Sequence, residues 1–139
     1  VRDEPPQPST ISAALEREVF ELVNRHRGTR GLPPLTLDAR ISRQARLHSV
    51  AMAKAAVSAG HAGFDDRVQA LRRAMPVRHV AENVAVNRGY RDAASGAVRG
   101  WLRSPGHREN IEGPYQATGI GVASDAAGRF FFTQIFVGG

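Results

Sequence analysis

The sequence contains no cysteine, which closes off both a disulfide framework and a thiolate metal site. Export remains open, since a domain with an adequate core does not need disulfides. No segment approaches the ~18 to 20 consecutive apolar residues that a membrane-crossing helix requires. Lysine is nearly absent as well. Lys54 is the only one among 19 basic residues, so arginine carries almost all of a formal net charge of +6. A basic surface attracts anionic partners, but the arginines are dispersed and no nucleic-acid motif accompanies them. Aromatic residues make up 6%, with a single tryptophan, and the last strand offers no aromatic and basic platform for stacking bases. Nucleic acid is therefore not an expected partner. Internal repeats are also missing, and the one biased tract is the proline-rich "VRDEPPQP" at residues 1–8.

What is present suits one globular domain. The chain has 139 residues, 42% of them hydrophobic and 23% charged. Residues 1–11 read as an extended leader or linker remnant and 12–139 as a single domain. The chain starts at Val1 rather than Met, as expected of a mature or trimmed chain whose targeting signal lies out of view. Leu15, Val19, Leu22 and Val23 recur at helical spacing from about Ser12 to His26, with Gly28 as the stop. Asp38 caps a second helix whose apolar face holds Ile41, Ala45, His48, Met52 and Ala55, ended by Gly60. On that stripe His48 reads as a hydrogen-bonded core histidine. A third helix is expected over Asp66 to Met75, an extended piece over "VRHVAENVAVN", and a fourth helix from an Asp92 cap to a Ser104-Pro105 break that closes the helical part. "TGIGVASDAAGRFFFTQIFV" predicts two strands around the turn Asp125-Ala126-Ala127-Gly128. The last strand is apolar on both faces, so it must be covered on both sides. The fold class is α+β: an α-β-α sandwich with a small antiparallel sheet between helical layers.

Three polar groups stand at element ends or between apolar neighbours. His61 follows Gly60, Glu82 sits in "AENVA", and His107 follows Ser104-Pro105-Gly106. A carboxylate among valines and alanines needs a charged or donating partner. Two imidazoles and a carboxylate are a common donor set for a zinc-type ion with positions left for water.

The ordered pieces "LVNRHRGTRGLPPLTLDARISRQARLHSVAMA", "GHAGFDDR", "AENVA", "GWLRSPGHRENI", and "TGIGVA" with "FFTQIFV" resemble a bacterial member of the CAP superfamily. That group comprises the cysteine-rich secretory, antigen 5 and pathogenesis-related proteins and is also called the SCP domain. The resemblance implies the α-β-α fold and a cleft of two histidines and two acidic residues able to hold a divalent metal. By motif position His61 and His107 resemble the histidines and Glu82 the glutamate of the "EN" motif. The second acidic position, three residues after Trp101, holds Ser104 here. A divalent cation such as zinc is thus expected to be weakly held, and Asp65, Asp66, Glu109, Asn83 and Ser104 are the further cleft candidates. Arg67 is expected to pair with a carboxylate, Asn83 and Asn110 to satisfy backbone groups, and Trp101 to pack on the sheet. The resemblance further implies an extracellular or envelope-bound binding module, monomeric, that recognises a lipid, sterol or cell-envelope component. The alternative is a metal- or serine-dependent hydrolase acting on a peptide or wall polymer from the same cleft.

Overall fold

A computed structural model describes residues 8–139. The order is α1 (Thr10–Thr29), β1 (Thr36–Leu37), α2 (Ala39–Ala53), α3 (Phe64–Ala74), β2 (His79–Asn87), α4 (Ala93–Leu102), α5 (Pro105–Ile111), β3 (Ala117–Ser124) and β4 (Phe130–Gly138). The expected leader over residues 1–11 lies mostly outside the described residues. Its last two members, Thr10 and Ile11, already belong to α1, because Ser9 caps that helix by accepting from the Ser12 amide. Gly28 does not stop α1, which runs on to Thr29. Nor does α2 reach Gly60; it ends at Ala53, and Ala55 takes a left-handed φ of 59°.

The sheet order is β1-β3-β4-β2. β3 and β4 form the expected hairpin and β2 adds antiparallel to β4, but the two-residue β1 pairs parallel with β3, so the sheet is mixed rather than purely antiparallel. Both faces are covered. Phe132 and Phe136 of β4 and Ile120 and Val122 of β3 pack with Val19 and Val23 of α1, Val98 and Trp101 of α4, and Ile111 of α5. Ile135 and Val137 turn the other way, onto Ile41 and Ala45 of α2 and Leu71 of α3. Full burial of each such side chain contributes about 1.5–3 kcal/mol, which is why the last strand tolerates no polar face.

The helical part does not close at Ser104-Pro105. Proline forces Ser104 out of the α region (φ −105°, ψ 118°), ending α4, and its fixed φ then opens α5 from the first helical position. His107 consequently rides on a short helix rather than in a turn. One buried cation was not foreseen. Arg27, 1% exposed at the end of α1, donates to the carbonyls of Pro33, Ile111 and Gly113 at 2.8–2.9 Å and ties α1 to the loop that leads from α5 into β3. Burial lowers its pKa, yet the carbonyls around it are donor-hungry groups that a guanidinium alone can serve together.

Beyond β1 the outer edge of β3 has no strand beside it among the described residues. Its amides are met by side chains instead: Ile120 N–H donates to Ser42 Oγ (3.2 Å) and Val122 N–H to Glu16 Oε2 (3.0 Å). Glu16 is in turn held by Arg46 at 2.8 Å, so this edge is sealed.

Candidate functional site

Neighbouring residues on a strand point to opposite faces, and "AENVA" uses this to build two clusters from two adjacent residues. Glu82 lies across from Ile135, on the α2 and α3 side, and Asn83 across from Gln134, on the side of α4 and α5.

On the first side Arg67, from α3, forms a fork on the Glu82 carboxylate, with Nε to Oε2 and Nη2 to Oε1 both at 2.7 Å. The Glu82 side chain is 1% exposed and that of Arg67 9%. His61 Nδ1 lies 2.9 Å from Oε1, and because a carboxylate only accepts, Nδ1 carries the proton. The ring is 53% exposed, and among the described residues its Nε2 has no partner. His48 completes the group. Arginine only donates, so Arg67 Nη1 at 3.2 Å makes His48 Nδ1 an acceptor and leaves Nε2–H to donate to Gly60 O at 2.6 Å. Burial, and after it the Arg67 charge, push the His48 pKa below its ordinary value. His48 is therefore the neutral core histidine that its helical position predicts.

On the second side Asn83, fully buried, donates from Nδ2 to His107 O (3.1 Å) and accepts at Oδ1 from Asn110 Nδ2 (2.9 Å). These two amides clip α5 onto β2. Trp101 Nε1 donates to Val84 O at 3.0 Å. His107 Nδ1 stands 2.8 Å from Ser104 Oγ, and Ser104, although at the N-cap position, makes no side-chain cap to the helix. The His107 pKa is lowered first by burial and second by the charge of His61.

The predicted pairing roles of Arg67, Asn83 and Trp101 are those seen. Asn110 differs slightly, since it bonds the Asn83 side chain and not a backbone group. Asp65 and Asp66 are exposed in the first turn of α3, complementing the positive end of that helix, and Glu109 is exposed on α5. None of the three joins the cluster.

The donor set does not fit a divalent ion. The charge of Glu82 is already neutralised by Arg67, both carboxylate oxygens are taken, and a cation arriving there meets a fixed guanidinium. Among the described residues no three histidine, cysteine, aspartate or glutamate side chains gather closely enough to hold a metal ion. An ion shared by His61, Glu82 and His107, as expected from the sequence, would have to displace the Arg67 fork from Glu82. The carboxylate that Arg67 was expected to pair with is that of Glu82, and the guanidinium takes both of its oxygens. Zinc at about 100 μM is accordingly expected to leave the Tm unchanged, whereas a site with a hundredfold lower Kd would add ~2.7 kcal/mol.

The two lowered histidine pKa values have a measurable sign. A histidine that resists protonation in the fold takes up a proton more readily when unfolded, so stability is full above the unfolded pKa of ~6.5 and declines below it. Urea titrations from pH 7.5 to pH 5 are expected to show this loss. His48→Gln should flatten part of it, and a profile unaltered by that change would assign the decline elsewhere.

The sequence pattern of the cysteine-rich secretory protein (CAP) family matches residues 20–136. A relative, the protein YkwD of Bacillus subtilis, is 33% identical over 135 residues, covering 94% of this chain and 49% of its own length. The chain thus spans about half of that relative. An extracellular SCP-domain protein of Bacillus anthracis is 27% identical with a TM-score of 0.76, covering 96% of this chain and 45% of that one. A cysteine-rich secretory protein of Staphylococcus aureus shares the fold at 19% identity, with a TM-score of 0.74 and coverage of 95% and 40%. So does an outer surface protein of Borrelia burgdorferi, at 15% and 0.76, with coverage of 90% and 92%.

Proposed function

The chain belongs to the cysteine-rich secretory protein (CAP) family, and on that premise we propose that it is an extracellular binding module whose cleft over the β2 edge, between His61 and His107, recognises a component of the cell envelope. The observation that carries this reading is the Arg67 fork on Glu82. It neutralises a carboxylate buried beneath the open main chain of β2 and fixes His61 through Nδ1, which supports a preorganised recognition surface. The extracellular setting is supported by the descriptions of the Bacillus anthracis and Borrelia neighbours, and no helix among the described residues is long and apolar enough to cross a membrane.

A hydrolase is the second reading, favoured by one contact, Ser104 Oγ to His107 Nδ1 at 2.8 Å. Against it, among the described residues no carboxylate orients His107, and the serine and histidine lie one helical turn apart at an N-cap, where such contacts form without catalysis. Co-sedimentation with isolated envelope fractions tests the first reading. His61→Ala and His107→Ala are expected to reduce retention about tenfold with little change in Tm. Unchanged retention in both would remove the cleft from binding, and covalent capture of Ser104 by a fluorophosphonate would favour the hydrolase.

A further inference from the structure

The floor of this cleft is main chain, and its hydrogen-bonding groups are open. Thr36 N–H and Asp38 N–H donate to Gln116 O and Thr118 O, so Thr118 faces β1. Alternation then turns Gly119 and Gly121 toward β4, where they lie across from Ile135 and Thr133. The intervening β4 residues, Gln134 and Phe136, therefore face Asn83 and Ala81 of β2. By the same alternation Val80, Glu82, Val84 and Val86 direct their N–H and C=O groups away from the sheet. The Trp101 bond to Val84 O agrees with that assignment. Among the described residues this carbonyl is the one group of the set that meets a partner. Glu82 keeps 6% exposure although its side chain keeps 1%, so what is open there is backbone.

The contrast with the other edge is informative. Ser42 and Glu16 cap the free amides of β3, whereas among the described residues no side chain caps an outward amide of β2, which has no proline and no lysine and runs for nine residues. Beside the open groups lies a cavity of about 290 Å³ with Val86, Tyr90, Gly100, Trp101, Ser104 and His107 among its lining residues. Tyr90 and Val86 are 55% and 38% exposed.

We propose that the β2 edge accepts an extended acidic peptide as an added strand, with main-chain bonds to Val80, Glu82 and Val86, one side chain in the Tyr90–His107 cavity and the next directed to His61. This rests on the cleft being the recognition site. Alternating groups along a strand edge match another extended backbone and little else. Successive side chains of such a strand point to opposite faces, which supplies one for the cavity and one for the exposed imidazole. The acidic character follows from the net charge of +6 and from the exposed Arg91 and Arg103, the neighbours in sequence of the lining residues Tyr90 and Ser104.

The probe is a library of acetylated, amidated decapeptides with glutamate at alternate positions and varied apolar residues between them. Binding is read by fluorescence anisotropy and by amide exchange protection at Val80, Glu82 and Val86. A selected peptide is expected to lose about tenfold in affinity when N-methylated at the alternate residues that pair with β2, and little when methylated in the other register. Val86→Pro removes an outward N–H without touching the β4 ladder. Gly100→Leu fills the cavity from a position where an added Cβ meets nothing within 4 Å. Each is expected to weaken binding about tenfold while the Tm stays near that of the wild type. Equal affinity for both methylation registers, or binding indifferent to Val86→Pro and Gly100→Leu, overturns the added strand. So does self-association of the free protein through β2 in sedimentation velocity. Retention on envelope fractions that needs His61 and His107, with no library member bound, overturns this inference and leaves the cleft reading standing. Loss of both would remove the two together.

Discussion

Arg67→Ala is expected to destabilise the protein by about 3–5 kcal/mol, the range found when one partner of a buried ion pair is removed. Glu82 would be left at 1% side-chain exposure with His61 as its remaining donor. Against a typical total of ~5–15 kcal/mol, this is enough to populate the unfolded state at moderate temperature. The cause can be told from a simple cavity by pH. A desolvated carboxylate without its cation has a raised folded pKa, so its penalty is largest at neutral pH and shrinks as the group is protonated. The gap between wild type and variant should therefore narrow between pH 7 and pH 5, which denaturant titrations at each pH would show. A cost below about 1 kcal/mol, or a gap constant with pH, would mean that the pair is not what holds α3 to the sheet.

Gly121→Val is expected to be at least as damaging, about 3 kcal/mol or more, through overpacking against groups that have no alternative rotamer. A Cβ at Gly121 would run into backbone atoms of Ala45 and Arg46, and one at Gly119 into those of Ile41 and Ser42. The "TGIGVA" glycines thus exist so that α2 can lie directly on β3. That approach also sets the bonds from Ser49 Oγ to Gly121 O (2.9 Å) and from the Ile120 amide to Ser42 Oγ (3.2 Å), which a displaced helix would lose. Gly100→Ala is the control. Its site on α4 is open, and exchanging glycine for alanine in a helix should be neutral or stabilising by up to ~1 kcal/mol. Thermal denaturation of both variants separates close packing from helix propensity. Comparable melting temperatures would show that α2 can move at little cost.

Much of this was legible without coordinates, for a definite physical reason. Caps, helix faces and turns depend on residues within one or two turns of each other. Asp38 and Asp92 therefore marked the starts of α2 and α4, and Asp125 to Gly128 marked the hairpin turn. Layer order was also readable, since a strand with Phe131, Ile135 and Val137 on one face and Phe132 and Phe136 on the other has to be covered twice. Composition excluded disulfides, and the ordered motifs pointed to the family. What the sequence could not decide was who meets whom across long separations. Whether Glu82 would face an ion or Arg67 depended on α3 docking beside β2, and that docking joins residues 15 positions apart. Whether Pro105 ended the helical part or began α5 depended on Asn83 and Asn110 holding the next segment against the sheet. Arg27 reached the Ile111 carbonyl 84 positions away, and Glu16 sealed the Val122 amide at a separation of 106. Such pairings are selected by the collective packing of the two helical layers on one sheet. Local propensity bears on none of them, and so the same packing, rather than any motif, left the edge of β2 open.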